Sequence, residues 1–195
     1  MQIIDETVYL KIVFFGTALA GKTTILEWLF NNAIPDEMKL ARNLRQLKTS
    51  FGQTLVFDFA PVRIANNLVA RLYTATGQDY YRATRRQLLD DADGIFLVID
   101  SQKEEKEHNI ELIHELRQYM ENVNGLGEAE IVVLYNKQDL ETADKPENLR
   151  ERLNLQESWP EFSTCAVTGE NLRQGLLEML KRLSLRLQSE GIEVL

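Results

Sequence analysis

The chain has 195 residues, 44% of them hydrophobic and 27% charged, with a formal net charge of −8, which is enough for one well-buried domain of ordinary globular composition. That acidic balance argues against a bulk-electrostatic role on nucleic acid or an anionic membrane surface. A lone cysteine, Cys165, excludes an intramolecular disulfide and a cysteine-rich zinc centre and fits a reducing compartment.

No apolar stretch approaches the roughly 18 to 20 residues that cross a bilayer. The start, Met1-Gln2-Ile3-Ile4-Asp5-Glu6, has neither the basic opening nor the apolar centre of a signal peptide. It lacks the Gly at position 2 used in myristoylation, and Glu193-Val194-Leu195 offers no prenylatable cysteine. A cytoplasmic protein without an anchor of its own is expected, reaching membranes only through a partner.

Along the chain, short runs rich in β-branched and aromatic residues alternate with helix-period segments. Strands are expected at 8–15, 54–60, 68–74, 95–100, 131–136 and 162–166, and helices at 22–31, 80–90, 105–122, 146–153 and 172–189. Ala65-Asn66-Asn67 reads as the turn of a β-hairpin between the second and third strands. The remaining strands are separated by helices and should pair in parallel through right-handed crossovers. Ile95-Phe96-Leu97-Val98-Ile99 is apolar throughout, as expected when helices cover both faces of a sheet. The expected fold is a single three-layer α/β domain over residues 1–195, with a mostly parallel six-stranded sheet and one antiparallel edge strand. Residues 32–53 have weak periodicity and read as either a long loop or a loosely held helix; a loop of that length in a compact domain is usually functional. On the last helix, Leu172, Leu176, Leu180, Leu183 and Leu187 form a core-facing stripe.

Gly16-Thr17-Ala18-Leu19-Ala20-Gly21-Lys22-Thr23 matches G-x-x-x-x-G-K-[ST] between the first strand and the first helix. The glycines let the backbone curl so that successive N–H groups, including that of Ala20, converge on a β-phosphate at the positive end of a helix. In such a loop Lys22 bridges β- and γ-phosphates, Thr23 binds Mg²⁺ and Thr24 reaches the α-phosphate. At the far end of the sheet, Asn136-Lys137-Gln138-Asp139 follows an apolar strand. A carboxylate at Asp139 can accept from guanine N1–H and the exocyclic amine, a donor pair that adenine lacks, and such a site rejects the wrong base strongly. The stem of Lys137 can lie over the base, and Asn136 can contact its N7 edge and tie the two loops together. Cys165-Ala166-Val167, after the last strand, offers backbone amides to the base oxygen.

With these motifs in place the sequence resembles the Ras-like small GTPase superfamily over nearly its whole length, a P-loop NTPase fold, and within it the bacterial and archaeal MglA-like group. The segments carrying the closer likeness are Thr54 to Pro61, Leu72 to Tyr81 and Arg82-Ala83-Thr84-Arg85-Arg86, together with Asp100-Ser101. The resemblance implies that Thr54 senses Mg²⁺ and the γ-phosphate, that Gly77 donates its N–H to that phosphate, and that Gln78 orients the attacking water. Catalysis would then rest on Gln78, Lys22 and Thr54. It also implies effectors at two switch loops, 32–53 and 75–86, a regulator of the roadblock type, and a role in cell polarity or motility.

Three residues depart from the wider pattern. Thr74 stands where most small GTPases carry the aspartate behind Mg²⁺, which makes Asp58 on the neighbouring strand the candidate substitute. Gln53 replaces the arginine that MglA-like proteins often place before the switch threonine, and such fingers contribute ~10³–10⁵ in rate. Ala18 replaces a frequent glycine beside the γ-phosphate. Slow hydrolysis is expected unless Arg63 or a partner supplies the charge; a scaffold with negligible turnover is the competing reading, and Asp139 argues against an ATPase or kinase. Outside these motifs, Arg82, Arg85 and Arg86 read as a solvated helix face, with a partner-binding surface as the alternative, and His108 and His114 fall on different faces of one helix.

Overall fold

The computed structural model describes residues 1–47, 57–74, 82–122 and 126–194. The strands are β1 (Gln2–Ile4), β2 (Thr7–Gly16), β3 (Arg45–Leu47), β4 (Phe57–Ala65), β5 (Leu68–Thr74), β6 (Gly94–Asp100), β7 (Glu130–Asn136) and β8 (Glu161–Ser163). The α-helices are α1 (Lys22–Trp28), α2 (Arg82–Leu89), α3 (Lys106–Asn122), α4 (Pro146–Leu153) and α5 (Leu172–Ser189). The sheet order is β3-β4-β5-β2-β6-β7-β8, with β1 paired to β2.

Pairing is parallel from β5 through β2, β6 and β7 to β8, and antiparallel for β4 on β5, β3 on β4 and β1 on β2. The six expected strands thus make a mostly parallel sheet with β4 as their antiparallel edge, and β1 and β3 extend it. Neither addition had a readable signal: each is three residues long, too short to display a period. Where the hairpin was expected, Asn66 and Asn67 turn between β4 and β5, with a register shift between Arg63 and Ala65.

Two clusters cover the two faces. Leu10, Ile12, Phe14, Phe96, Val98, Val132 and Leu134 pack with residues of α1 and α5. Val13, Phe15, Ile95, Leu97, Ile99, Ile131 and Val133 pack with α2, α3 and α4. Both sides of β2, β6 and β7 are therefore buried, the physical reason those strands are apolar throughout. The leucine stripe of α5 is buried at Leu172, Leu176, Leu183 and Leu187, with Leu180 packed at its margin.

Boundaries shift where tertiary packing takes over. Instead of running to 31, α1 stops at Trp28 and widens into a π-turn over Leu29–Ala33, closed by the Ile34 N–H on the Leu29 carbonyl at 3.0 Å; the wider turn lets consecutive Leu29 and Phe30 both bury. The strand expected at 162–166 ends at Ser163, and Thr164 onward forms a loop. β4 runs on to Ala65, while 54–56 lie outside the described residues. Of the expected 80–90 helix, α2 covers Arg82–Leu89 and gives way to a turn at Asp90, while 80 and 81 lie outside the described residues.

Candidate functional site

The carboxyl ends of β5, β2, β6 and β7 emerge on one edge, as the register pairs Phe14 with Thr74, Gly16 with Val98, and Asp100 with Asn136 show. In open α/β sheets that edge is where ligands bind. The phosphate loop leaves it from Gly16 and re-enters regular structure at Lys22. Leu19 and Gly21 both have positive φ, 58° and 94°. At Gly21 a Cβ would lie 2.4 Å from Asn136 Nδ2, so glycine is required both for its backbone conformation and for the close approach.

Lys22 is buried and curls back over the loop, donating to the Gly16 carbonyl at 2.9 Å and the Thr17 carbonyl at 2.5 Å. No carboxylate among the described residues neutralises it. Burial, reinforced by the nearby Arg85 guanidinium, holds its pKa down from 10.5 to about 8. Thr17 Oγ1 is buried with no hydrogen-bond partner among the described residues. A buried cation without a counter-ion among the described residues, beside a hydroxyl they leave unpaired, suits an anion that takes up both. Ala20 is fully buried, whereas Ala18, Leu19, Thr23 and Thr24 are exposed along the mouth.

Beside this loop, Thr23 donates its hydroxyl to Asp58 Oδ2 at 2.6 Å, and the Thr74 hydroxyl donates to the same oxygen at 3.1 Å. The Asp58 N–H donates to Thr74 Oγ1 at 3.3 Å. Antiparallel pairing of β4 with β5 puts these two residues side by side. One carboxylate and two hydroxyls form a hard-oxygen donor set that fits Mg²⁺, which keeps several waters and takes few protein ligands when phosphates supply the rest.

Asn136, 1% exposed, joins three loops. Its Nδ2 donates to the Ala20 carbonyl at 2.8 Å, and its Oδ1 accepts from the Ala166 N–H at 2.9 Å. The Ala166 amide, expected to face a base oxygen, is thus engaged by Asn136 here. Cys165 is buried and Val167 is 78% exposed. Lys137 takes a positive φ of 67° and donates its ammonium to Asp100 Oδ2 at 2.5 Å. Gln138 points away, its Nε2 on the Asp144 carbonyl at 2.9 Å, and Asp139 is exposed at the rim.

Two expectations need correction. Arg63 was a possible source of charge for hydrolysis, but it lies at the hairpin end of β4, donating to the Asn66 carbonyl at 3.3 Å. It lies five positions along the strand from Asp58, about 17 Å, so it cannot reach the phosphate loop. Arg85 does not belong to a solvated face: it is 4% exposed and makes a bidentate pair with Glu115 of α3, at 3.2 and 2.8 Å. Gln53, Thr54, Gly77 and Gln78 lie outside the described residues.

Reading along the sequence missed several supports of the site. Trp28 packs on Gly169, where a Cβ would sit 1.8 Å from the indole and φ is 83°. Glu115 and Asp100 were also passed over as ion-pair partners. The glycine following the Cys165 segment was the one local hint; the pairs themselves join distant positions and leave no periodic trace.

A sequence model of the ADP-ribosylation factor family matches residues 2–183. The mutual gliding-motility protein MglA of Myxococcus xanthus (strain DK1622) is 34% identical over 186 residues, 93% of each chain. Among solved structures, the Arl6 BBS3 small GTPase from Trypanosoma brucei with bound nucleotide analogue GppNp matches with a TM-score of 0.65, over 91% of this chain and 98% of that one, at 18% identity. At that identity the last likeness speaks for the fold.

Proposed function

This chain belongs to the ADP-ribosylation factor family of small GTPases, and from that premise we propose a guanine-nucleotide switch that turns over slowly and signals through residues 32–53 and 75–86. Like its family it binds GTP and hydrolyses it to GDP. The observation that supports the nucleotide site best is Asn136, which fastens the phosphate loop to the base-side loops through two buried hydrogen bonds.

In this reading Gly16, Ala20, Gly21, Lys22, Thr23 and Thr24 cradle the phosphates. Lys137 and Asp139 read guanine, Asn136 keeps its second Nδ2 proton for the N7 edge while tying the loops together, and Cys165, Ala166 and Val167 line the oxygen edge, the Ala166 N–H being held by Asn136. Lys22 leaves the Gly16 and Thr17 carbonyls for phosphate oxygens, which supply its missing counter-charge. Thr23 and Thr54 hold Mg²⁺, with Asp58 oriented by Thr74 in the supporting role. When bound, the ion neutralises charge on the β- and γ-phosphate oxygens. Gly77 donates to the γ-phosphate and Gln78 orients the water.

Slow turnover is supported by Ala18, by Gln53 in place of an arginine, and by the distance of Arg63 from the site. The likeness to a gliding-motility protein supports a role in polarity or motility, with effectors and a roadblock-type regulator at the switch loops. A single domain over 1–195 and a cytoplasmic location complete the proposal. Among the described residues no helix is long and apolar enough to cross a membrane.

Competition binding tests the base assignment: unlabelled GTP should displace labelled GDP while ATP does not, and tight ATP binding would overturn it. Gln78→Leu should abolish single-turnover hydrolysis with nucleotide still bound. An unchanged rate would remove Gln78 from the mechanism.

A further inference from the structure

The end of β6 holds a buried carboxylate that the roles above leave unused. Asp100 is 1% exposed and lies opposite Asn136 in the β6–β7 register. Its Oδ1 accepts from the Gln102 backbone N–H at 3.1 Å and from Gln102 Nε2 at 3.2 Å. Its carbonyl accepts from Asn109 Nδ2, inside the core, at 2.8 Å. Asp100 is therefore fixed at both carbonyl and carboxylate before any charge partner is counted. Oδ2 takes that partner, the Lys137 ammonium, at 2.5 Å.

A carboxylate withdrawn from water is costly unless it is paired, so the pull on Lys137 is strong. Lys137 is fixed at its other end too: its backbone has φ 67°, and its carbonyl accepts the Leu140 N–H at 3.2 Å. A lysine anchored at both ends has its aliphatic stem stretched between the tips of β7 and β6, beside Asn136. A solvated lysine gives up rotamer entropy when a ligand orders it. Here the fold has ordered the side chain in advance, which favours binding.

We propose that Asp100 is a positioning residue for guanine recognition, holding Lys137 so that its stem forms a ready-made wall of the base pocket. This rests on the reading of residues 136–139 as the base loop. Asp100 acts through Lys137 and touches no nucleotide atom itself.

The test is the dissociation rate of fluorescently labelled GDP from the full chain. Asp100→Asn keeps the acceptor for Gln102 and removes the charge; dissociation should quicken by about tenfold, the lower range for losing a charge-assisted hydrogen bond. Lys137→Met keeps the stem and removes the ammonium. The double variant should dissociate no faster than the faster single variant, since both changes break one interaction. Two factors that multiply, or an Asp100→Asn rate equal to the parent's, would overturn the proposal. Tripolyphosphate, which lacks a base, should bind the parent and Asp100→Asn equally; a loss as large as that for GDP would mark Asp100 as a general structural support and overturn the base-specific role. Should Asp100→Asn fail to fold, NMR of the ¹⁵N-labelled parent decides: a Lys137 ammonium signal protected from water exchange supports the clamp, and one exchanging like surface lysines overturns it. If the parent holds no guanine nucleotide at all, the switch reading itself falls, an outcome separate from a nucleotide-binding parent with an indifferent Asp100.

Discussion

The proposed base end and the proposed metal end of the site are built differently. At the base end Asn136 is buried, and its side-chain amide is spent on two backbone groups from loops far apart in sequence. At the proposed metal end a partly exposed Asp58, on the antiparallel ribbon of β4 and β5, meets the exposed Thr23 of α1 through one hydroxyl–carboxylate contact. The first is closed by parallel core strands with helices on both sides; the second hangs on one carboxylate oxygen that also serves Thr74. Buried backbone partners make removal expensive, whereas an exposed polar contact exchanges readily with water. The base end should therefore be preformed, and the metal end should respond to what is bound.

Breaking the base end should have the largest effect. Asn136→Ala orphans the Ala20 carbonyl and the Ala166 N–H, each costing about 1–3 kcal/mol when buried. Urea unfolding should show much of that loss, and GDP dissociation should accelerate by more than tenfold. A variant as stable and as tight as the parent would remove Asn136 from the account.

Lys22 gives the next effect, and it depends on pH. Its folded pKa of about 8 lies below the ordinary 10.5, so between these values the unfolded chain binds more protons than the folded one. Stability of the nucleotide-free protein should rise from pH 8 toward 10.5, by on the order of 3 kcal/mol from this group, with the full penalty present below pH 8. Urea midpoints at pH 7.5 and 10 should diverge in the parent more than in Lys22→Met. Bound nucleotide should suppress the rise, because its phosphates favour the charged ammonium.

Gly169→Ala meets Trp28 and needs a left-handed backbone, so a loss of about 2 kcal/mol is expected in thermal or urea unfolding. Faster GDP dissociation should accompany it, because the Cys165–Gly169 turn, closed by the Gly169 N–H on the Cys165 carbonyl at 2.8 Å, carries the base-side amides. Asp58→Asn should change folding stability least. Its mark should be a weaker dependence of GDP dissociation on Mg²⁺, roughly tenfold less acceleration by chelator than in the parent. An unaltered Mg²⁺ response would detach Asp58 from the metal.

Sequence reading succeeded where physical signals are local. The spans 68–74, 146–153 and 172–189 coincide with β5, α4 and α5, because each has a clear period and a marked boundary. The three-residue β3 and the π-turn after Trp28 depend on neighbours the sequence does not display. In the site, contiguous segments such as 16–24 and 136–139 were legible as units. The link from Thr23 to Asp58 was foreseen only as a substitution for Thr74. Arg85 was misread because its partner Glu115 is 30 residues away on another helix, and a charge pattern along one helix cannot reveal a buried pair. Arg63 failed for a related reason: antiparallel pairing carries it to the far end of the sheet.

Single-turnover hydrolysis of GTP by the purified chain with Mg²⁺ and no partner most directly tests the proposal that this site grips nucleotide firmly and turns it over slowly. A first-order rate on the order of 10⁻⁴ s⁻¹, typical of a small GTPase without an arginine finger, is the predicted result. A rate on the order of 10⁻² s⁻¹ or faster, the range reached with an arginine supplied in cis, would contradict it.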